Sequence, residues 1–312
     1  MGISLGNLDR RRFVSLTLGA VAAAAVAPAA LAQRADDFDF LFFTDTHLQP
    51  EMDAAKGCDM AFKKMRGDNV AFAIQGGDHI FDALGVPTTR SLSLFDMYDK
   101  TEQDLGLKVY HTVGNHDVFG IYTESGMKPT DPLYGKKYFR DHIGKPYYSF
   151  DAKGVHFIVL DSIFITADRH YEGRIDDAQL KWLAADLAAQ AATQPIVLVS
   201  HIPLVTAYEL YNDDVVASNP RPHQLAVANT NKIFPLFHGK NVLGVLQGHT
   251  HVNELVEWQG VPYMTSGAVS GNWWKGTHLG TPEGYTVVSI RGGKLTTRYE
   301  TYGFKSVDPH NT

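Results

Sequence analysis

A single large α/β domain is the fold class this sequence predicts, and three observations predict it. From residue 38 onward, short apolar runs alternate with amphipathic or loop stretches, the pattern of strands and helices in succession. The chain is 312 residues long with 44% apolar and 20% charged residues, the make-up of a globular protein with a full core. Five of the apolar runs close in clusters of glycine, aspartate, asparagine or histidine, and the carboxyl ends of strands are where open α/β sheets hold ligands.

The first strand is FDFLFF at 38–43, ending in Thr44-Asp45-Thr46-His47. Asp45 and His47 stand two apart, so on a strand end both side chains leave one face. Residues 54–65 have helical spacing, and 70–75 read as a second strand closing in Gly76-Gly77-Asp78-His79, where paired glycines let the backbone bend and expose the carboxylate. A helix over 91–104 leads to a third strand at 109–113, which runs into Gly114-Asn115-His116-Asp117. That tetrad offers an amide oxygen, an imidazole and a carboxylate together, more chemistry than a turn needs.

A polar, aromatic insertion at 121–144 precedes strands at 147–151 and 155–160 with a turn at Lys153-Gly154, then a helix over 176–191 with Asp176 at its start. A strand at 196–200 ends in His201-Ile202-Pro203 and is followed at 204–229 by a loop of the length that compact domains keep for function or mobility. The strand at 242–247 ends in Gly248-His249-Thr250-His251. The runs at 252–258, 261–265, 285–290 and 295–299 read as antiparallel strands, with an exposed loop at 271–284.

Asp45, His47, Asp78, Asn115, His201, His249 and His251 are therefore metal-competent side chains at five strand ends. Oxygen and imidazole donors suit divalent manganese, iron, zinc or cobalt, and the lack of thiolates argues against a structural zinc site. Seven ligands are too many for one ion. Two ions sharing a bridging carboxylate would use them, and such a pair clamps the attacking and leaving oxygens of a displaced phosphoryl group.

With its ordered blocks Asp45-Thr46-His47, Gly77-Asp78, Gly114-Asn115-His116-Asp117, His201 and Gly248-His249-Thr250-His251, the chain resembles the calcineurin-like metallophosphoesterases from about residue 38 to about residue 299. The resemblance implies a four-layer α-β-β-α sandwich of two mixed sheets flanked by helices, one domain spanning 33–312. It implies that Asp45, His47 and His251 hold one metal, that Asn115, His201 and His249 hold the other, and that Asp78 bridges them. It further implies a metal-bridging hydroxide as nucleophile, His116 as the group that stabilises or protonates the departing oxygen, and Asp117 as the holder of the His116 ring.

Two positions depart from the family pattern. Phe81 stands three residues after Asp78, where relatives often carry an acid, an amide or a tyrosine ligand, and Ile202 follows His201 where many carry a second histidine. The implied activity is hydrolysis of a small phosphoester substrate by a phosphodiesterase or a broad-specificity phosphoesterase. The alternatives are a phosphomonoesterase or nucleotidase, and, from another class, a non-catalytic metal-containing binding protein.

Residues 1–32 follow a different pattern. Asp9-Arg10-Arg11-Arg12-Phe13-Val14 precedes an apolar stretch from 16 to 26, and Ala30-Leu31-Ala32 offers a small-residue cleavage site, so the segment resembles a twin-arginine signal peptide cut after Ala32. The stretch is short, rich in alanine and broken by Pro28, which argues against a stable membrane anchor. The expected partner is the twin-arginine export machinery, which carries folded proteins, and the expected location is periplasmic or secreted. The chain has 28 basic and 34 acidic residues, a net −6; without the three arginines and Asp9 of the leader, 25 against 33 leaves −8. Excess acid without a basic run argues against a nucleic-acid partner. The single cysteine, Cys58, excludes an internal disulfide.

Other polar side chains read more simply. Strand alternation turns His79 away from Asp78, and His111, His142, His156, His223 and His238 follow no partner pattern. Trp273 and Trp274, beside glycines, are candidates for a wall on which substrate stacks, and His278 is a candidate on the expectation that its loop reaches over the metals.

Overall fold

The computed structural model describes residues 36–212 and 223–310. The expected leader at 1–32 and the part of the long loop at 213–222 lie outside the described residues. The elements follow in the order β1 (Phe38–Phe43), α1 (Ala54–Met65), β2 (Ala73–Gln75), α2 (Thr88–Gln103), β3 (Val109–His111), α3 (Lys137–His142), β4 (Tyr148–Ala152), β5 (Val155–Leu160), β6 (Ile163–Ile165), β7 (Tyr171–Gly173), α4 (Asp177–Ala189), β8 (Pro195–Ser200), α5 (Tyr208–Tyr211), β9 (Asn241–Gln247), β10 (Glu254–Trp258), β11 (Val261–Thr265), β12 (Gly284–Arg291) and β13 (Lys294–Thr301).

The strands build two mixed sheets. One has the order β13-β12-β1-β2-β3, with β1, β2 and β3 parallel and β12 antiparallel to β1. The other has the order β10-β11-β9-β8-β5-β4, with β5, β8, β9 and β11 parallel and antiparallel strands at both edges. β6 and β7 form a separate hairpin.

β1 shows why the sheets stack. Its alternate side chains leave opposite faces, and both faces are buried. Phe40 points into the space between the sheets and meets Phe157 of β5 edge-on at 5.4 Å; Phe43 points the other way and meets Phe62 of α1 at 5.6 Å. A strand with two apolar faces must be apolar nearly throughout, and its one acid, Asp39, is paired with Arg291. The far face of the second sheet packs on α4 through Leu183 and Leu187. The layers therefore run helix, sheet, sheet, helix, as the resemblance implies. Asp176 caps α4 as its position predicts, accepting from the Gln179 N–H at 2.7 Å.

Several expectations change. The second strand begins three residues later than the apolar run at 70–75, and the third ends two residues before the end of the run at 109–113. The four late strands do not form one antiparallel set. β10 and β11 make a hairpin whose second strand lies parallel to β9, whereas β12 and β13 cross to the first sheet.

Trp274 is not a substrate wall. It is fully buried among the side chains between the first sheet and its helices, and its indole Nε1–H donates to the carbonyls of Thr46 and His47, both at 3.1 Å. Gly57 of α1 makes the slot for it, since a Cβ there would lie 2.1 Å from the indole ring. Gly57→Val is expected to lower stability by about 1–3 kcal/mol through overpacking. An unchanged denaturant midpoint would show that the slot is not needed.

Candidate metal centre

Asp45 and His47 converge, but not by strand alternation. β1 ends at Phe43, and Asp45 and His47 lie beyond it in left-handed backbone with φ of 55° and 40°. Asp78 (56°), His249 (72°) and His251 (58°) share that conformation. Such backbone is strained in non-glycine residues and persists where surrounding bonds enforce it. Asp45 N–H donates to Gly77 O at 2.9 Å, His47 N–H to Asp78 O at 3.1 Å, and Thr46 Oγ1–H to His79 O at 2.6 Å, clipping the loop after β1 to the loop after β2. Gly114 closes from a third side. Its φ of −100° is ordinary, but a Cβ there would lie 2.1 Å from the Asp78 nitrogen, so it is glycine for the close approach and not for the turn.

These loops place Asp78 Oδ2 at the middle of a largely buried cluster, 3.2 Å from His201 Nε2 and 3.6 Å from His47 Nε2. On one side Asp45 Oδ1 lies 3.3 Å from His251 Nε2 and 3.8 Å from His47 Nε2, and those two nitrogens are 3.1 Å apart. On the other, His201 Nε2 lies 3.0 Å from Asn115 Oδ1, and His249 joins Asp78 and His201 with donor atoms within 4.8 Å of one another. All seven candidates are thus brought together, in the two groups that the resemblance implies.

The outer nitrogens fix the tautomers. His251 Nδ1–H donates to Gly271 O at 2.6 Å, His201 Nδ1–H to Gly76 O at 2.9 Å and His249 Nε2–H to Gln224 O at 2.9 Å, so each inner nitrogen faces the cluster and offers it a lone pair whenever its ring is neutral. Asp45 Oδ2 accepts from Thr44 Oγ1–H at 2.6 Å and from His249 N–H at 3.0 Å, while Asp45 Oδ1 is buried with no hydrogen-bond partner among the described residues. A buried, orphaned carboxylate oxygen facing imidazole lone pairs is costly unless cations lie among them, so these residues fit a pair of divalent metals. Burial keeps His47 neutral, well below its usual value, and likewise lowers His249 to about 4. His201 goes the other way: against the effect of burial, Asp78 and Asp45 raise it to about 9.

His116 sits at the rim. Its ring packs edge-on against His47 at 4.9 Å, and its backbone N–H donates to Asp78 Oδ1 at 2.8 Å. Its Nδ1 lies 3.3 Å from Asp82 Oδ1, an ion-pair separation. Against burial, Asp78 and Asp82 raise the His116 imidazole above its usual value. Burial likewise opposes ionisation of Asp82, but His116 and the amides of Leu84 and Gly85 hold its carboxyl low.

The expectation that Asp117 holds the His116 ring is corrected. Residues 115–117 form one 3₁₀ turn, which rotates neighbouring side chains by roughly 120° and sends these two apart. The Asp117 carboxylate accepts instead from the backbone N–H of Gly114 (2.8 Å), Asp78 (3.1 Å) and His79 (2.9 Å), and from His79 Nδ1–H at 2.8 Å. His79 is fully buried behind it, with Nε2 3.1 Å from His111 Nδ1, in keeping with its structural reading. Asp82 is the residue that the sequence reading missed, and its signal was an acid one position beyond Phe81.

Of the substrate-contact candidates, Trp273 stacks on His47 with ring centres 3.8 Å apart, and it meets His116 edge-on at 4.9 Å. His278 bonds the Tyr208 hydroxyl through Nε2 at 2.8 Å, with its ring 6.1 Å from that of His251.

Two predictions follow from this geometry. A cation must displace the proton that His201 keeps up to about pH 9, so Mn²⁺ affinity of the metal-free protein should rise with pH, by up to about tenfold per unit, and level off near pH 9. Titration calorimetry in buffers of different ionisation enthalpy checks this through the proton released. Asp117→Ala strands three amides and a buried imidazole, so it should cost about 3 kcal/mol or more of stability. A wild-type unfolding curve would contradict that.

Residues 38–253 match the model of the calcineurin-like phosphoesterase family. The chain is similar to the serine/threonine-protein phosphatase CPPED1 of Homo sapiens, 29% identical over 189 residues, which cover 60% of this chain and 53% of that one. It is also similar to a probable cyclic nucleotide phosphodiesterase of Rhodococcus erythropolis, 26% identical over 113 residues, covering 36% of this chain and 33% of that one. The chain therefore spans about half the length of the first relative and a third of the second. Among solved structures, a dimetal phosphatase from Danio rerio aligns with a TM-score of 0.56 at 16% identity, covering 84% of this chain and 99% of that one. GAP50, the anchor in the inner membrane complex of Plasmodium, aligns at 0.53 and 15%, covering 88% and 89%. At such identities the structures speak to the fold alone. The family match spans well over half of the chain and takes in every loop that carries the cluster, and the protein belongs to the calcineurin-like phosphoesterase family.

Proposed function

We propose that this protein is an exported, binuclear metal-dependent hydrolase of phosphoric esters, acting as a phosphodiesterase or broad-specificity phosphoesterase. The observation that carries the reading is the buried Asp45, His47, Asp78, Asn115, His201, His249 and His251 cluster with the His116–Asp82 pair at its rim. Asp45, His47 and His251 would hold one divalent cation and Asn115, His201 and His249 the other, with Asp78 available to both, and the pair would supply Lewis acidity toward phosphoryl oxygens and toward water.

The remaining roles belong to the chain. His116 as imidazolium hands its proton to the departing ester oxygen, and Asp82 stabilises and orients that imidazolium. The bond from the His116 backbone N–H to Asp78 Oδ1 keeps the acid in register with the Asp78 carboxylate. Low dielectric around these buried groups strengthens each interaction with a charged transition state. Asp117 acts one step back, holding the amides of Asp78 and Gly114. A binding protein without turnover has no use for an acid with its own carboxylate partner, which favours the enzyme. The cleft of about 880 Å³ that His116 lines leaves room for a second ester arm, which favours a diester over the phosphomonoesterase or nucleotidase alternative.

His116→Ala is expected to retain metal, measured by elemental analysis, while kcat on bis-p-nitrophenyl phosphate falls by about 100- to 10,000-fold. Asp78→Ala should lose both metal and activity. Parental rates in both variants would reject the hydrolase reading, and the rate on p-nitrophenyl phosphate beside the diester separates the two ester classes.

Export by the twin-arginine machinery rests on Arg10-Arg11-Arg12, the apolar stretch after them and Ala30-Leu31-Ala32. Expressed in a bacterium with that machinery, the protein should be recovered outside the cytoplasm beginning at Gln33. Replacing Arg10, Arg11 and Arg12 with lysine should retain it inside, and export unaffected by that change would reject the route.

A further inference from the structure

Beside His116 the chain forms an open cleft of about 880 Å³, at the upper end of the ~300–1,000 Å³ typical of sites that take a whole small molecule and far more than one phosphoryl group fills. Half of its lining is apolar or aromatic, Met52, Phe81, Leu84, Tyr122, Tyr171 and Trp273, and the other half is polar, including Asp82, His116 and Lys275. Phe81 occupies the position where relatives often place a polar or ligating side chain. It meets Trp273 edge-on, with ring centres 5.7 Å apart and planes at 78°. Nothing in the metal cluster calls for an aromatic ring at that point.

Trp273 is held for this purpose by its neighbour. Trp273 and Trp274 are consecutive non-glycine residues in left-handed backbone, φ 54° and 69°. That pair persists because Trp274 is locked in the Gly57 slot with its indole on the Thr46 and His47 carbonyls. The chain's last described residues close the outside: Ser306 Oγ–H donates to Trp274 O at 2.7 Å, and Asn272 Nδ2–H donates to His310 O at 2.7 Å. Trp273 is thereby fixed with its ring against His47 and its edge toward His116, where the cleft begins.

His116 and Asp82 both face this cleft, so the alcohol that receives the His116 proton leaves through it. We infer that the departing alcohol carries a planar aromatic ring seated against the joint wall that Phe81 and Trp273 form, and that the substrates are phosphoric esters of benzyl-type or other ring-bearing alcohols in preference to esters of small aliphatic ones. This rests on the hydrolase reading above. The ring gains apolar burial and edge-to-face contact with the two aromatic walls, neither of which an ethyl group can match.

The test uses the metal-loaded protein and three departing alcohols of similar acidity: ethanol, cyclohexylmethanol and benzyl alcohol, each as phosphate monoester and as methyl diester. The expected kcat/KM order is benzyl, cyclohexylmethyl, ethyl, with benzyl over ethyl by about tenfold or more and benzyl over cyclohexylmethyl by about two- to tenfold. Phe81→Leu and Trp273→Leu should each reduce the benzyl-to-ethyl ratio to about a third or less; reading the ratio removes any general loss from misplaced metal ligands. Equal kcat/KM for benzyl and ethyl esters, equality of benzyl with cyclohexylmethyl, or a ratio that survives both substitutions would each overturn the inference while leaving the hydrolase intact. No turnover of these esters or of bis-p-nitrophenyl phosphate by the parent would overturn both.

Discussion

The position of the Asp78 carboxylate is the constraint on which the rest of the site depends. One oxygen accepts the amide of His116 and the other lies between His201 and His47, so a single side chain sets the spacing of both groups of candidate ligands and of the acid at the rim. To stand there it needs a left-handed backbone, a glycine at 114 with no Cβ to collide with it, and Asp117 to take up its amide. The first is met in the loop after β2, and the other two in the loop after β3. The cluster is therefore a property of loops clamped together and not of any one of them.

That clamping is supplied by ordinary packing. The two sheets bury phenylalanines between them, and α1 buries Phe43 on the other side, which fixes where β1 ends and its polar loop begins. The same helix carries Gly57, whose missing side chain admits Trp274, and Trp274 in turn bonds the carbonyls of Thr46 and His47. A core tryptophan thus stands behind the loop that presents Asp45 and His47, while its neighbour Trp273 covers the front of His47. Stability and site geometry share these residues, and strain in the left-handed ligand positions is offset by burial close by.

Strand and helix positions could be read from apolar runs because a strand with two buried faces has little choice of residue, and β1, α1 and β11 lie where their patterns put them. Pairing partners could not. The run that becomes β11 looks the same whether it lies parallel or antiparallel, and only its docking beside β9 decides. The paired tryptophans show the same limit: adjacent and alike in sequence, they are separated by a backbone turn that buries one completely and leaves the other on the cleft.

By itself the sequence determined the chemistry available: which side chains end the strands, that they are oxygen and imidazole donors without thiolate, and that there are enough of them for two cations. Their identity follows from composition and order, which are local. The tertiary structure decided how those groups are partnered. Asp117 stands next to His116 in the chain but turns away to hold the loop, whereas Asp82, from another loop, faces His116 at 3.3 Å. Side-chain direction in a turn depends on backbone angles set by contacts with distant residues, so adjacency in sequence could not reveal which carboxylate serves the histidine.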